Sequence, residues 1–166
     1  MNKLRGFGYY ALAVAVFALD WTTKRFIEAR MSVFDTRTII PGFFDIVHAR
    51  NRGAAFSMFA DSTSPLRPFF LIGLSLVALL LVAAILRNAS RLDRPTALGL
   101  SLILGGALGN VFDRIVSGAV TDFLDFYIGA LHWPAFNVAD SAIVIGATLL
   151  VFEILFTKTP MQEKAG

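Results

Sequence analysis

Pro68-Phe-Phe-Leu-Ile-Gly-Leu-Ser-Leu-Val-Ala-Leu-Leu-Leu-Val-Ala-Ala-Ile-Leu86 is an apolar run with no charged residue in it. A helix of about 20 such residues matches the roughly 30 Å hydrocarbon core of a bilayer. Three further stretches outward from it share this character. Phe7 to Ile27 is dense in apolar residues until Asp20 interrupts it. Pro95 to Phe112 is uncharged and rich in glycine, and Pro134 to Phe156 carries Asn137, Asp140 and Glu153. The predicted fold class is an integral membrane, mainly α protein. Four transmembrane helices (about 7–27, 68–86, 95–112 and 134–156) form a single membrane-embedded domain over 1–166.

Composition agrees. Of 166 residues, 56% are hydrophobic and only 16% charged, against roughly a quarter charged in ordinary soluble domains. That excludes a disordered chain, a small secreted scaffold and a water-soluble enzyme. The absence of cysteine excludes disulfides, thiolate metal sites and a thiol nucleophile. A net charge of +3, scattered along the chain, does not suit nucleic acid. An even number of spans puts both termini on one side. Lys3, Arg5, Arg87, Arg91, Arg94, Lys158 and Lys164 would lie on that side, in short tails and one short loop. Their density points to cytoplasmic termini. Lys3 and Arg5 before an apolar run resemble a signal peptide, but no small-x-small cleavage site follows, so the segment reads as a retained first helix.

Between the first two spans, Ser32 to Ser57 alternates in places and contains Pro41-Gly42, a turn signal. A small β-rich extracytoplasmic platform, about 32–57, is expected there between helices 1 and 2. Phe34, Phe43, Phe44, Phe56 and Phe59 would be available to contact lipid.

Ionisable residues within or beside spans cost several kcal/mol unless they are paired or line a wet cavity, so they mark chemistry. Asp140 is expected about two turns into the fourth helix, with Asn137 on its face. A second carboxylate must come from Val120-Thr-Asp-Phe-Leu-Asp-Phe126. If that segment is extended, Asp122 and Asp125 point opposite ways, and spacing does not say which one meets Asp140. Two close carboxyls share a proton, so one can take a proton from water while the other protonates a carbonyl or leaving amine. That is aspartic proteolysis, which calls for no cofactor and no metal. Asn110, Asp113 and Arg114 share a helix face and would pin loops. Asp20 and Lys24, at i and i+4, form an expected ion pair near the interface. Asn51-Arg-Gly-Ala-Ala-Phe56 reads as a turn where backbone can approach a ligand. His132 beside Trp133 suits the headgroup level. No zinc helix or serine elbow occurs.

Five segments together resemble bacterial lipoprotein signal peptidase, or signal peptidase II. They are Leu19-Asp20 with Lys24, Asn51-Arg-Gly-Ala-Ala-Phe-Ser57, Gly105-Gly-Ala-Leu-Gly-Asn-Val-Phe-Asp-Arg114, Val120-Thr-Asp-Phe123 and Phe136-Asn-Val-Ala-Asp-Ser-Ala-Ile143. The resemblance implies Asp122 and Asp140 as the catalytic pair and leaves Asp125 a bystander. It implies supporting roles for Asn51, Asn110, Arg114 and Asn137 around the pair and for Asp20 at the outer end of the first helix; Lys24, Gly53 and Asp113, in the same segments, are further supporting candidates. Trp21 and Arg52 depart from the family pattern, at positions that bear on substrate or lipid contact. The implied partner is a prolipoprotein whose cysteine already carries diacylglycerol, cut just before that cysteine by a monomer. A proton-coupled transporter using Asp140 and Glu153 is the rival reading. It predicts acids along a path across the membrane and internal symmetry, and no repeat is visible.

Overall fold

The computed structural model describes residues 3–53 and 66–156. Ala54 to Ser57, Phe59 and the tail after Phe156 lie outside the described residues. The elements run α1 (Lys3–Arg30), β1 (Thr36–Ile40), β2 (Phe44–Asn51), α2 (Arg67–Leu86), α3 (Arg94–Ser117), β3 (Val120–Ile128), β4 (Leu131–His132) and α4 (Val138–Phe156). Among the described residues three helices are long and apolar enough to cross a membrane, over Phe69–Leu86, Arg94–Ser117 and Val138–Phe156. α1 is the longest helix at 28 residues.

Local chemistry sets the helix ends. Asp93 caps α3 by accepting the Thr96 N–H at 2.7 Å. Gly118, at φ +67°, ends α3 in the left-handed conformation that glycine adopts without strain and turns the chain into β3. Asn137 Oδ1 accepts the Asp140 N–H at 2.9 Å and caps α4. The fourth helix therefore begins at Val138 and not at Pro134, and Asp140 stands in its first turn, not two turns in. The physical reason is that Phe136 pairs with Leu124, exchanging backbone hydrogen bonds of 2.8 and 3.0 Å. Residues committed to a strand bridge cannot also be helical.

The sheet is antiparallel in the order β1-β2-β3-β4. The platform is thus not built between helices 1 and 2 alone; half of its strands come from the segment between α3 and α4. Rich in β-branched and aromatic residues, β3 pairs with β2, with Ala49 opposite Asp122 and Asn51 opposite Val120.

α3 is the central helix, packed on α1, α2 and α4. Its contact with α4 depends on glycine: a Cβ on Gly99 would sit 2.8 Å from the Gly146 carbonyl oxygen. Ala13, Leu79, Leu86, Leu100 and Leu104 form the apolar core. Leu80 and Ile154 point outward and are exposed. This suits helices that are hydrophobic all round and surrounded by lipid.

Candidate active site

β3 sorts its side chains by alternation. Phe123 packs with Ile27 and Met31 at the end of α1, and Thr121 donates to Glu28 Oε1 at 2.6 Å. Val120 and Asp122 turn to the other face, where they line a cavity of about 630 Å³. Asp140 from α4, Asn110 and Arg114 from α3 and Asn51 from β2 line the same cavity. Leu71 and Leu74 from α2 and the stretch Trp133 to Phe136 add apolar wall. The structure therefore resolves the choice left by spacing. Asp122 shares a space with Asp140, while Asp125 is engaged elsewhere by His132.

Three asparagine side chains aim N–H groups at the two carboxylates, and each has its orientation fixed by a donor on its oxygen. Gly53 N–H occupies Asn51 Oδ1 at 2.8 Å, so Asn51 Nδ2 donates to Asp122 Oδ2 at 3.0 Å. The Asp140 N–H occupies Asn137 Oδ1, so Asn137 Nδ2 donates to Asp122 Oδ1 at 2.7 Å. The Lys24 ammonium, which has donors only, holds Asn110 Oδ1 at 3.0 Å. Asn110 Nδ2 then donates to Asp140 Oδ1 at 2.8 Å.

Behind these amides lies a buried ion cluster. Lys24 Nζ is 2.7 Å from Asp20 Oδ2 and 2.8 Å from Asp113 Oδ2, all three side chains being at most 3% exposed. The expected Asp20–Lys24 pair is present, buried inside the bundle, and Asp113 joins it. Asp20 Oδ1 also accepts the Ala139 N–H at 2.9 Å, a carboxylate at the positive N-terminus of α4. Gly109 permits this approach, because a Cβ there would overlap Asp20 Oδ2 and lie 3.1 Å from its Cγ. Arg114 donates to the Gly53 carbonyl oxygen at 3.0 Å and to that of Asn110 at 3.2 Å. The expected loop-pinning thus falls to Arg114, while Asp113 serves the ion cluster.

Burial first, and the Asp140 charge second, push the Asp122 carboxyl up to about 7; the Asn51 and Asn137 hydrogen bonds oppose that rise only in part. Sequence reasoning missed Glu28, whose bond to Thr121 ties α1 to the strand beside Asp122, and the Trp133–Phe136 wall. The β-branched and aromatic residues from Val120 to Ile128 were the available signal for the strand; nothing local marks Glu28.

The model of the signal peptidase (SPase) II family matches residues 12–156. The lipoprotein signal peptidase of Solibacter usitatus (strain Ellin6076) is 56% identical over 149 residues, covering 90% of this chain and 91% of that one. That of Yersinia pestis (strain Pestoides F) is 43% identical over 171 residues, covering 99% and 97%. A solved structure described as a bacterial membrane enzyme, determined by the in meso method at 2.3 Å resolution, is similar with a TM-score of 0.82. It is 30% identical, and the match covers 96% of this chain and 94% of that one. Another, described in the same words at 1.9 Å resolution, gives a TM-score of 0.81 at 29% identity over 91% and 94%. A match of this reach, on a chain whose strand β3 and helix α4 bring two aspartates into one cavity, makes it a member of the signal peptidase II family.

Proposed function

We propose that this chain is an intramembrane aspartic endopeptidase that removes the signal peptide from diacylglyceryl-modified prolipoproteins, cutting before the lipidated cysteine. Asp122 and Asp140 are its catalytic pair. The observation that carries the reading is the cavity itself: both aspartates line one largely apolar space, and three orientation-locked amides present donors to them.

Asp122, with its raised pKa, holds the proton. Asp140 takes a proton from water as the oxygen attacks the scissile carbonyl, while Asp122 protonates the carbonyl oxygen. In the second step Asp140 passes its proton to the leaving amine, the C–N bond breaks, and a hydroxyl proton of the intermediate returns to Asp122. Asn51, Gly53, Asn110, Arg114 and Asn137 hold the pair in place. Asp20, Lys24 and Asp113 brace the amides from behind. The apolar wall from α2 suits a lipidated, hydrophobic substrate.

The same reading makes α1 the fourth span of one domain over 1–166, with both termini cytoplasmic and the dyad near the outer face of a bacterial inner membrane. The enzyme acts as a monomer. The test is a gel-shift cleavage assay on purified protein in detergent with a diacylglyceryl-modified prolipoprotein, with and without chelator. Chelator-resistant cleavage that disappears in both Asp122→Asn and Asp140→Asn is expected. Retained cleavage in either variant removes that residue from the pair, and an uncut substrate with folded wild-type protein overturns the reading.

A further inference from the structure

Asp45 and Asp125 stand directly opposite each other in the β2–β3 register. Like charges so placed are destabilising unless each is given its own partner. Here each has one. His132 Nδ1 lies 2.9 and 3.1 Å from the two Asp125 oxygens. The Tyr127 hydroxyl donates to Asp45 Oδ1 at 3.2 Å and accepts the Gly42 N–H at 3.2 Å. The Tyr127 and His132 rings stack at 4.6 Å, only 8° from parallel. The cluster joins the turn of the β1–β2 hairpin to the β3–β4 hairpin.

The second hairpin needs the help. β4 has two residues, and its register is Tyr127 to His132 and Ile128 to Leu131. So short a ladder is marginal by itself. Ile128 and Leu131 are exposed and add little packing. Side-chain bonds on one face therefore do the holding. Strand alternation turns the next residue to the other face, where Trp133 lines the cavity that contains Asp122 and Asp140. Its backbone N–H donates to the Phe126 carbonyl oxygen at 2.8 Å.

We propose that Trp133 is a substrate-contacting wall of the active site, and that Asp125 and His132 are positioning residues that fix where it stands. The indole meets the apolar part of the lipidated substrate beside the scissile bond, with its polar edge suited to the interface. This rests on the peptidase reading above and gives a purpose to an acid that takes no part in the dyad.

The test uses the full-length protein in detergent with a diacylglyceryl-modified prolipoprotein. Asp125→Ala and His132→Phe, the latter keeping the ring stack, are expected to raise KM about ten-fold with kcat within about two-fold. Asp125→Asn, which keeps an oxygen for the imidazole N–H, is expected to stay within about two-fold of wild type. Asp125→Ala combined with Trp133→Ala should be no worse than Trp133→Ala alone. Binding is read separately in a Trp21→Phe, Asp140→Asn background, where Trp133 is the sole indole. Its emission should respond to substrate, with about ten-fold weaker affinity after Asp125→Ala. Unchanged KM and affinity in Asp125→Ala, or losses that add in the double variant, overturn the proposal. Normal binding of a substrate that the folded wild-type protein leaves uncut instead overturns the peptidase reading and leaves this one standing.

Discussion

Replacing Asp122 with asparagine sets two effects of opposite sign against each other. The Asp122 carboxyl titrates at about 7 in the folded protein against an ordinary value of 3.8, because burial and the Asp140 charge disfavour its ionised form. A folded pKa above the unfolded one favours the fold when the acid is protonated, below about 4, and loses that ground as pH rises toward about 7. At about 1.36 kcal/mol per pH unit, the ionised side chain weakens the folded state by about 4 kcal/mol above neutrality. Asparagine cannot ionise and escapes this cost. It does lose a bond, since Asn51 and Asn137 both point N–H groups at position 122 and an amide offers only one oxygen. One donor is then left without an acceptor, at about 1–3 kcal/mol independent of pH. Asp122→Asn should therefore match or fall below wild type in stability near pH 5 and exceed it near pH 8. The difference should move by about 2–3 kcal/mol in favour of the variant across that range. Equilibrium unfolding in detergent at a series of pH values measures it directly, and cleavage by the variant should be lost throughout. A difference that stays flat with pH, or that moves in favour of wild type as pH rises, refutes the reasoning.

Lys24→Met should lower stability by about 3–5 kcal/mol, because it leaves buried Asp20 without its counter-ion and buried Asp113 with Arg25 alone, at 3.9 Å. Adding Asp113→Asn should recover part of the loss, and thermal unfolding of the single and double variants measures both effects. Gly109→Ala should destabilise by about 1–3 kcal/mol and reduce cleavage, since its Cβ displaces Asp20 from the α4 N-terminus. Gly73→Ala on α2, where a Cβ meets nothing within 4 Å, should leave stability equal or slightly higher in the same unfolding assay.

Much of the site was legible because its residues are expensive. An aspartate inside an apolar helix needs a reason to be there, and Asp20, Asp113 and Asp140 each have one in the structure. Helix spacing placed Asn110 with Arg114 and Asp20 with Lys24 on common faces, and the contacts agree. The boundary of α4 was misplaced because apolar composition runs on through Trp133 to Phe136. A hydrophobic segment reads alike whether it forms helix or pairs as strand, and only the Leu124 partner decides. The platform takes strands from two inter-helix segments where the sequence points to one, because the pairing of β3 with β2 joins residues far apart in the chain and leaves no local mark.

The sequence by itself determined the solvent of this protein, the order of its apolar helices and, through its motifs, the family. These are properties of local composition and periodicity, which act along the chain. Tertiary structure supplied the physical reason that Asp122 and not Asp125 shares a cavity with Asp140, a choice that spacing leaves open and the family motifs imply: strand direction and the pairing of β3 with β2 select one of two faces. It also decided that Lys24 reaches Asn110, a residue 86 positions away. Such links arise when helices distant in sequence pack in three dimensions, and no spacing along the chain encodes them.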